Sequence, residues 1–325
     1  MQPRPFGSWS TYAVAALVVA AMPQPAAAQA WLPGKGEGSV AVVFTNVTSR
    51  EHFLPDRRFE MGQIDANTIL ADVSYGITDR FAVTFGVPVV VSRYRGNFPH
   101  RPITLDDGSW HSTTQDFRFN VRYNAVRGPV VVTPFIGSDL PSRNYEFFAH
   151  AAPGRALKEI AGGVSIAKLF AAQGIILQGR YALTFSEGAL DQSRRFSVAS
   201  IESGYFLTPS LRLLAMMSAR IAHTGIDLYP DSGRVLPFEV FSHHDQISRE
   251  SFTNLGGGAS YALTDRMDLF GAFTRTVHGR NTHAVNRGLS IGVSWSFGLQ
   301  DDTTLTSGNR QTKSLARCVC EKGRK

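Results

Sequence analysis

The sequence predicts an all-β protein: a transmembrane up-and-down antiparallel β-barrel of about 12 strands. Three observations predict it. Apolar residues alternate with small or polar ones at period two, the connectors alternate between short and long, and an N-terminal export signal is followed by no helical span. The alternation is plainest in residues 81–91, FAVTFGVPVVV. Phe81, Val83, Phe85, Val87, Val89 and Val91 share one parity; Ala82, Thr84, Gly86, Pro88 and Val90 share the other. Successive strand side chains point to opposite faces, so this segment is a strand with one strongly apolar face.

The same pattern places strands at 39–48, 64–75, 81–94, 113–125, 130–140, 158–169, 174–186, 194–206, 210–223, 249–262, 266–278 and 286–297, with no helical stretch between them. GITDR (76–80), VRGP (126–129), AAQG (170–173), LTPS (207–210) and LTDR (263–266) are short connectors. The long ones are 49–63, 95–112, 141–157, 187–193, 224–248 and 279–285. Strict interleaving of the two kinds is what an even-numbered membrane barrel produces, with tight periplasmic turns and longer external loops. Pro88 and Pro134 fall inside strands, where each removes a ladder donor and calls for a bulge. Strand 130–140 is apolar on both parities, which leaves its facing open.

The N-terminus supplies the third observation. Arg4, the apolar run TYAVAALVVAAM (11–22) and the small-residue stretch PQPAAAQA (23–30) form a secretory signal peptide, residues 1–30, with cleavage expected after Ala28 or Ala30. The run is too short to span a bilayer, which takes about 20 residues. Export restricts the remainder to the periplasm, the exterior or the bacterial outer membrane. The barrel is then expected over 31–297, followed by a C-terminal tail, 298–325, disordered and periplasmic. The formal charge of +7 drops by one when Arg4 leaves, and the tail holds much of the rest. Basicity here is therefore no nucleic-acid footprint. Both cysteines, Cys318 and Cys320, lie in the tail, so the body is expected to be held by a closed ladder rather than by disulfides.

Membrane-facing detail follows from the strand ends. Tyr75, Tyr205 and Tyr261 each open a Y-x-[IL]-T-[DP] turn, and Tyr123 closes strand 113–125. With Trp295 and Phe297 they are expected to form an aromatic girdle, where one end of each ring is apolar and the other wet. The last strand, GLSIGVSWSFG (288–298), sets Leu289, Ile291, Val293, Trp295 and Phe297 against Ser290, Gly292, Ser294 and Ser296. Gly292 to Phe297 resembles the terminal-strand signal read by the barrel-assembly machinery.

Charges fall on the opposite parity. Facing Phe117, Phe119, Val121 and Tyr123 to lipid leaves Asp116, Arg118, Asn120, Arg122 and Asn124 inside. The same rule puts Asp72, Gln178, Arg180, Glu202, Arg212 and Arg220 in the lumen. An Arg or Lys facing lipid at midplane costs about 2–4 kcal/mol, so this sorting is physically required. Five arginines against three acids suggest a mildly positive interior, either an anion-favouring path or a salt-bridge network bracing a narrow barrel.

His52, His100, His111, His150, His223, His243, His244, His278 and His283 all fall in external loops or at their strand junctions, where they read as polar loop residues. His243-His244-Asp245 lacks repeated ligand spacing, and no metal or other cofactor is expected. Arg50, Arg57, Arg58, Arg95, Arg101, Arg143, Arg155, Arg234 and Arg280 crowd the same rim. Guanidinium forks match phosphate geometry, so outer-membrane lipid and lipopolysaccharide are expected partners. His111 and Ser112 are adjacent in GSWHSTTQD, and strand neighbours point to opposite faces, which disfavours a nucleophile–base contact. No catalytic residues are assigned, and no enzyme is expected.

WLPGKGEGSV (31–40) followed by YGITDRFAVTFGVPVVVSRY (75–94) resembles the outer-membrane transporters of the MetA-pathway-of-phenol-degradation family. The resemblance implies an outer-membrane barrel passing small, often aromatic, compounds, and carries over no functional residues. Two functions follow as expectations: a passive channel for a small-molecule solute, possessing aromatic or anionic character, and as alternative a non-conducting structural or adhesive barrel. A lipid hydrolase ranks below both.

Overall fold

A computed structural model describes residues 30–97, 105–228 and 237–298. The expected signal peptide, up to residue 29, and the expected tail, after residue 298, lie outside the described residues. The chain forms β1 (Gly38–Phe53), β2 (Arg58–Thr78), β3 (Phe81–Arg95), β4 (His111–Thr114), β5 (Asp116–Tyr123), β6 (Val130–Pro141) and β7 (Glu159–Phe170). It continues through β8 (Ile175–Ser186), β9 (Arg195–Phe206), β10 (Leu211–Ala222), β11 (Ser251–Ala262), β12 (Met267–Arg280), β13 (Thr282–His283) and β14 (Arg287–Phe297). Neighbours pair antiparallel in sequence order, and β14 returns to β1, from Gly38 opposite Phe297 to Thr48 opposite Arg287. With β4 and β5 forming one interrupted stave and β13 a short addition to β1, this is a closed antiparallel barrel of 12 strands. At the seam the Phe297 ring fills the space a Cβ on Gly38 would need, so glycine is required there.

Alternation sorts the two faces. Ile69, Val73, Phe85, Val89, Phe119, Ile160, Ile201, Met217, Leu255 and Ile291 are exposed on the outside, while Ala82, Val90, Thr133, Ser165, Ala182 and Asn254 on the other parity are buried. Strand 130–140 resolves the same way: Val130, Ile136 and Leu140 are outward, Val131, Thr133 and Phe135 inward.

Several boundaries differ from the alternation pattern. β1 runs on past residue 48 to Phe53, and β2 begins at Arg58, well before residue 64. The 21 residues of β2 cover about 70 Å along the strand at ~3.3 Å each. That is roughly twice what a ~25 Å apolar belt needs at 35–45° tilt. A tall wall of β1–β3 therefore stands above one side of the barrel. The predicted strand 113–125 breaks at Gln115, whose N–H donates to the carbonyl of Pro88 at 3.0 Å, so the interruption lies beside one proline. Pro134 sits where the β5 ladder has already stopped, at Phe135 opposite Arg122, and its missing donor is not needed there. Two short helices, α1 (Phe238–Ser242) and α2 (His244–Ile247), and a 3₁₀ turn at Ala171–Gln173 replace expected loop. No helix of the described residues is long and apolar enough to cross a membrane.

Candidate functional site: the barrel interior and its two seals

The interior wall carries a row of charge in register. Asp72 lies opposite Gly86, Gly86 opposite Arg118, Arg118 opposite Asp139 and Asp139 opposite Glu159. Gly86 is a close-approach position: Asp72 Oδ1 occupies the place of its absent Cβ, with Arg118 Cβ at 3.4 Å from it. Arg118 thus has carboxylates to both sides. Asp116 accepts from the Tyr145 phenol, and Asn120 lies over Gly137. Arg122 Nη2 donates to Ser74 Oγ at 2.7 Å and Thr84 Oγ1 at 3.0 Å. Gln178 hydrogen bonds Glu202 across the β8–β9 register. Arg212 folds over Gly204 and donates through Nε to Ser260 Oγ at 3.1 Å.

Arginines in this wall also stack on rings. Arg180 lies 3.5 Å from the centroid of Phe135, and Arg220 lies 3.6 Å from that of Phe196. Such cation–π contacts are worth about 2 kcal/mol or more when desolvated. Phe135 and Phe196 escaped the sequence reading, although their parity, beside arginines on adjacent strands, was the available signal. So did the acids Asp139, Glu159, Asp268 and Glu250. With these included, Arg118, Arg122, Arg155, Arg180, Arg194, Arg212 and Arg220 are met by Asp72, Asp116, Asp139, Glu159, Glu202, Glu250 and Asp268, and Asp106 and Asp245 are buried at the loop end as well. The expected positive bias of the interior is therefore corrected to near balance. On the outside, Tyr75, Tyr123, Tyr205, Tyr261 and Trp295 are each about half exposed, and Phe297 is partly covered beside Trp295 with ring centroids 5.9 Å apart.

Both mouths are occupied by the chain itself. At the end with short turns, the segment entering β1 crosses the opening. Its Ala30 carbonyl accepts from Asn124 Nδ2 at 3.0 Å and Thr133 Oγ1 at 2.6 Å, while Ala30 and Trp31 pack on Val131 and Ala167. Gly36 and Gly76 exchange backbone bonds with the Gly76 and Glu37 carbonyls, tying the segment to β2.

At the long-loop end two segments fold inward, 142–158 and 237–250. Ala149, His150, Ala151 and Ala152 of the first are buried, as are His244, Asp245, Gln246 and Ile247 of the second. Glu250 joins them to the wall. Its Oε2 takes Arg220 Nη1 at 2.7 Å and Arg155 Nη1 at 3.0 Å, Arg194 Nη2 stands at 3.6 Å, and its Oε1 accepts from Thr282 at 2.9 Å. Burial alone would raise the Glu250 carboxyl, but Arg220, Arg155 and Arg194 hold it below the usual carboxylate range. Burial, then Arg155 and Arg220, push Arg194 far down from its ordinary value. Arg155 is thus part of this buried knot and not of the solvated rim. A cavity of about 30 Å³ lies against it, lined by Gln115, Asp116, Arg118, Asp139, Leu157 and Glu159, with space for about one water.

The histidines depart furthest from expectation. His52, His150, His244 and His283 are buried, not solvated. His52 turns inward because a register slip between Ser49 and Glu51 reverses the parity of β1 above it. His244 stacks on Phe241 at 5.2 Å and lies 3.1 Å from Asp245. Among the described residues no group of His, Cys, Asp or Glu has an arrangement to hold a metal ion. His100, Arg101 and Arg234 lie outside the described residues.

Two Ser/His contacts bear on catalysis. His111 uses one nitrogen, Nε2, for both Asp107 at 2.8 Å and Ser109 at 3.1 Å, so no relay runs from acid to base to nucleophile. Hydrogen bonds from His111, then from the Ser109 hydroxyl and backbone N–H, hold the Asp107 carboxyl at about 2. On the outer face Ser197 Oγ lies 2.7 Å from His223 Nε2 and 2.7 Å from Tyr181 Oη. Ser197 is only 3% exposed beneath these rings, and among the described residues no carboxylate pairs with His223. Neither contact presents an accessible, oriented nucleophile.

The fold and lined interior define an outer-membrane-type barrel of porin-like architecture. A crystal structure of the COG4313 outer membrane channel from Pseudomonas putida F1 is similar, with a TM-score of 0.65 at 13% identity over 83% of this chain and 98% of that one. The NanC porin, at 11% identity over 78% and 98% of the two chains, gives 0.47. A TodX monoaromatic hydrocarbon channel mutant, at 9% identity over 82% and 91%, gives 0.42. At these identities the likeness is one of fold, and it rests on the first. No protein-family model matches the chain, and no curated protein sequence does.

Proposed function

We propose that this chain is an outer-membrane channel that passes small solutes through the lumen when its inward segments move aside. The observation that carries this is the nature of the closure: segments held by side-chain contacts and a few backbone bonds, outside the closed ladder, lie across both mouths. Such segments open at far lower cost than the strands, because local opening draws on few contacts. The exposed apolar outer face supports membrane residence, since closed barrels leave no backbone group unpaired in lipid. The Pseudomonas putida barrel of like fold is an outer-membrane channel, which agrees with this reading. The resemblance to the phenol-degradation transporters supports small aromatic compounds as the solute class. Outer-membrane lipid and lipopolysaccharide are the proposed surroundings, met by rim arginines such as Arg57 and Arg58. Refolded protein in planar bilayers tests the proposal: discrete conductance steps are expected.

The same seals favour one second reading, a non-conducting structural barrel, for a lumen filled at both ends passes nothing until a seal yields. Absence of conductance in the wild type and in a variant with either seal cut decides for it.

A further inference from the structure

On one side of the barrel the outer face passes, row by row, from apolar residues to guanidiniums. Thr48 of β1 lies opposite Arg287 of β14 and Asp65 of β2, and Asp65 lies opposite Arg93 of β3. On the far side of β14, Thr274 of β12 pairs with Gly288, which sets Arg275 beside Arg287. The register is unbroken from this row down to the exposed Phe44, Ile69, Val89, Phe273 and Leu289, so its members share their outward parity. One step further from the belt, Gln63 pairs with Arg95 and accepts from Arg50 Nε at 3.1 Å.

Height locates the row. Asp65 and Tyr75, a member of the turn-end girdle, are ten residues apart on β2. That is about 33 Å along the strand at ~3.3 Å per residue, or ~25 Å of height at a tilt of 35–45°. An outer-membrane apolar belt has this height, so the arginines stand where headgroups begin, at the end with the long connectors. Arg93 lies 4.3 Å from the ring centroid of the exposed Trp110, an aromatic suited to the same interface.

The partners of these side chains decide what they can bind. Asp65 takes Arg93 Nε at 3.3 Å and Arg95 Nη2 at 3.0 Å, so those two are shared with a carboxylate. Arg287 donates to neutral groups, Asn46 Oδ1 at 3.1 Å and Thr48 Oγ1 at 3.3 Å. Among the described residues no carboxylate pairs with Arg50, Arg275 or Arg287, and all three are exposed. From β12 to β3 the arc crosses four inter-strand spacings, about 19 Å at ~4.8 Å each. A glycerophospholipid with its single phosphate cannot meet both ends. Lipopolysaccharide carries two phosphates on its lipid A disaccharide, and β1–β3 rise beside the sugars above them.

We propose that the outer wall of β12, β14, β1, β2 and β3 binds one lipopolysaccharide molecule through its phosphates. Arg50, Arg275 and Arg287 are the main donors, and Arg93 and Arg95 complete the arc. Guanidinium forks match phosphate oxygens, and such charge-assisted bonds are short and strong. The inference deepens the proposed lipopolysaccharide surroundings by naming a site, and it rests on outer-membrane residence rather than on conduction.

Refolded protein in an uncharged detergent, titrated with lipopolysaccharide bearing both lipid A phosphates, tests this by native mass spectrometry. One bound molecule is expected at saturation. An Arg275→Gln, Arg287→Gln double variant gives up no ion pair, keeps its heat-dependent gel mobility, and should bind at least about tenfold more weakly. Arg195→Gln, on the exposed face of β9 across the barrel, should bind as wild type. An intact double variant that binds as wild type overturns the proposal, as does equal binding of dephosphorylated lipopolysaccharide. Equal binding of phosphatidylglycerol, or displacement of the lipid by equimolar inorganic phosphate, overturns it in favour of a general anion surface. Binding without conductance keeps the site and removes the channel reading; conductance without binding does the reverse.

Discussion

The two mouths of the barrel are sealed by different chemistry. At the turn end, Ala30 and Trp31 lie on Val131 and Ala167, and neutral donors, Asn124 and Thr133, hold one carbonyl. At the loop end, Glu250 gathers three guanidiniums, and three imidazoles pack around the incoming loop. Neutral hydrogen bonds and apolar contact are indifferent to pH across the physiological range. Buried ions and imidazoles are not, because each depends on a protonation state. The difference is one of chemistry: the turn-end seal rests on neutral contacts, and the loop-end seal rests on groups whose protonation state matters.

The largest expected effect comes from removing the centre of the loop-end knot. Glu250→Ala leaves Arg155, Arg194 and Arg220 buried together without their shared carboxylate, a loss of about 3–5 kcal/mol. The segments 142–158 and 237–250 should become protease-sensitive while the barrel keeps its heat-dependent gel mobility. If both segments stay protected, the knot does not hold the seal.

Acid gives the next effect. The Glu250 carboxyl lies below its ordinary value in the folded protein. Its contribution is therefore fully present above the ordinary value of about 4.3 and is lost as pH falls through the lowered one. Glu250→Gln should remove that acid-sensitive step, read as protease sensitivity against pH. A single unchanged transition in the variant separates Glu250 from the acid response.

A smaller change is expected at the turn end. Thr133→Val deletes one neutral donor to Ala30 while Asn124 remains, for about 1 kcal/mol. Thermal unfolding should shift slightly, and the shift should be the same at pH 5 and pH 7.5. A pH-dependent shift would break the contrast between the two ends.

The smallest effect concerns ion selectivity. Because the interior carboxylates match the arginines, the reversal potential across a salt gradient should lie close to zero. Arg118→Gln should then tilt the channel towards cations, since Asp72 and Asp139 flank that position. Strong anion preference in the wild type would restore the positive lumen that charge sorting first suggested.

The sequence made the outer face legible because lipid exposure acts on each strand locally. Parity put Arg118, Arg122 and Arg212 on the face opposite Phe119 and Val121 without any tertiary knowledge. It failed where the local rule stops. Asp139 was hidden by a strand apolar on both parities, and His52 by a register slip that no alternation pattern announces. Arg155 and His150 sit on a long connector and Glu250 at the very start of an expected strand, and their inward course depends on contacts made only in the closed barrel. Above the apolar belt, β1 and β2 continue with mixed residues such as Arg58, Glu60 and Gln63, so their extra length carried no period-two signal.

The central claim is that the loop-end seal closes a conducting lumen. Single-channel recording of wild type and Glu250→Ala, in the same bilayers at pH 7.5, tests it most directly. Wild type should be mostly closed, and the variant, whose knot has lost its carboxylate, should be open. Silence of both proteins, with intact barrels shown by gel mobility, would contradict the account.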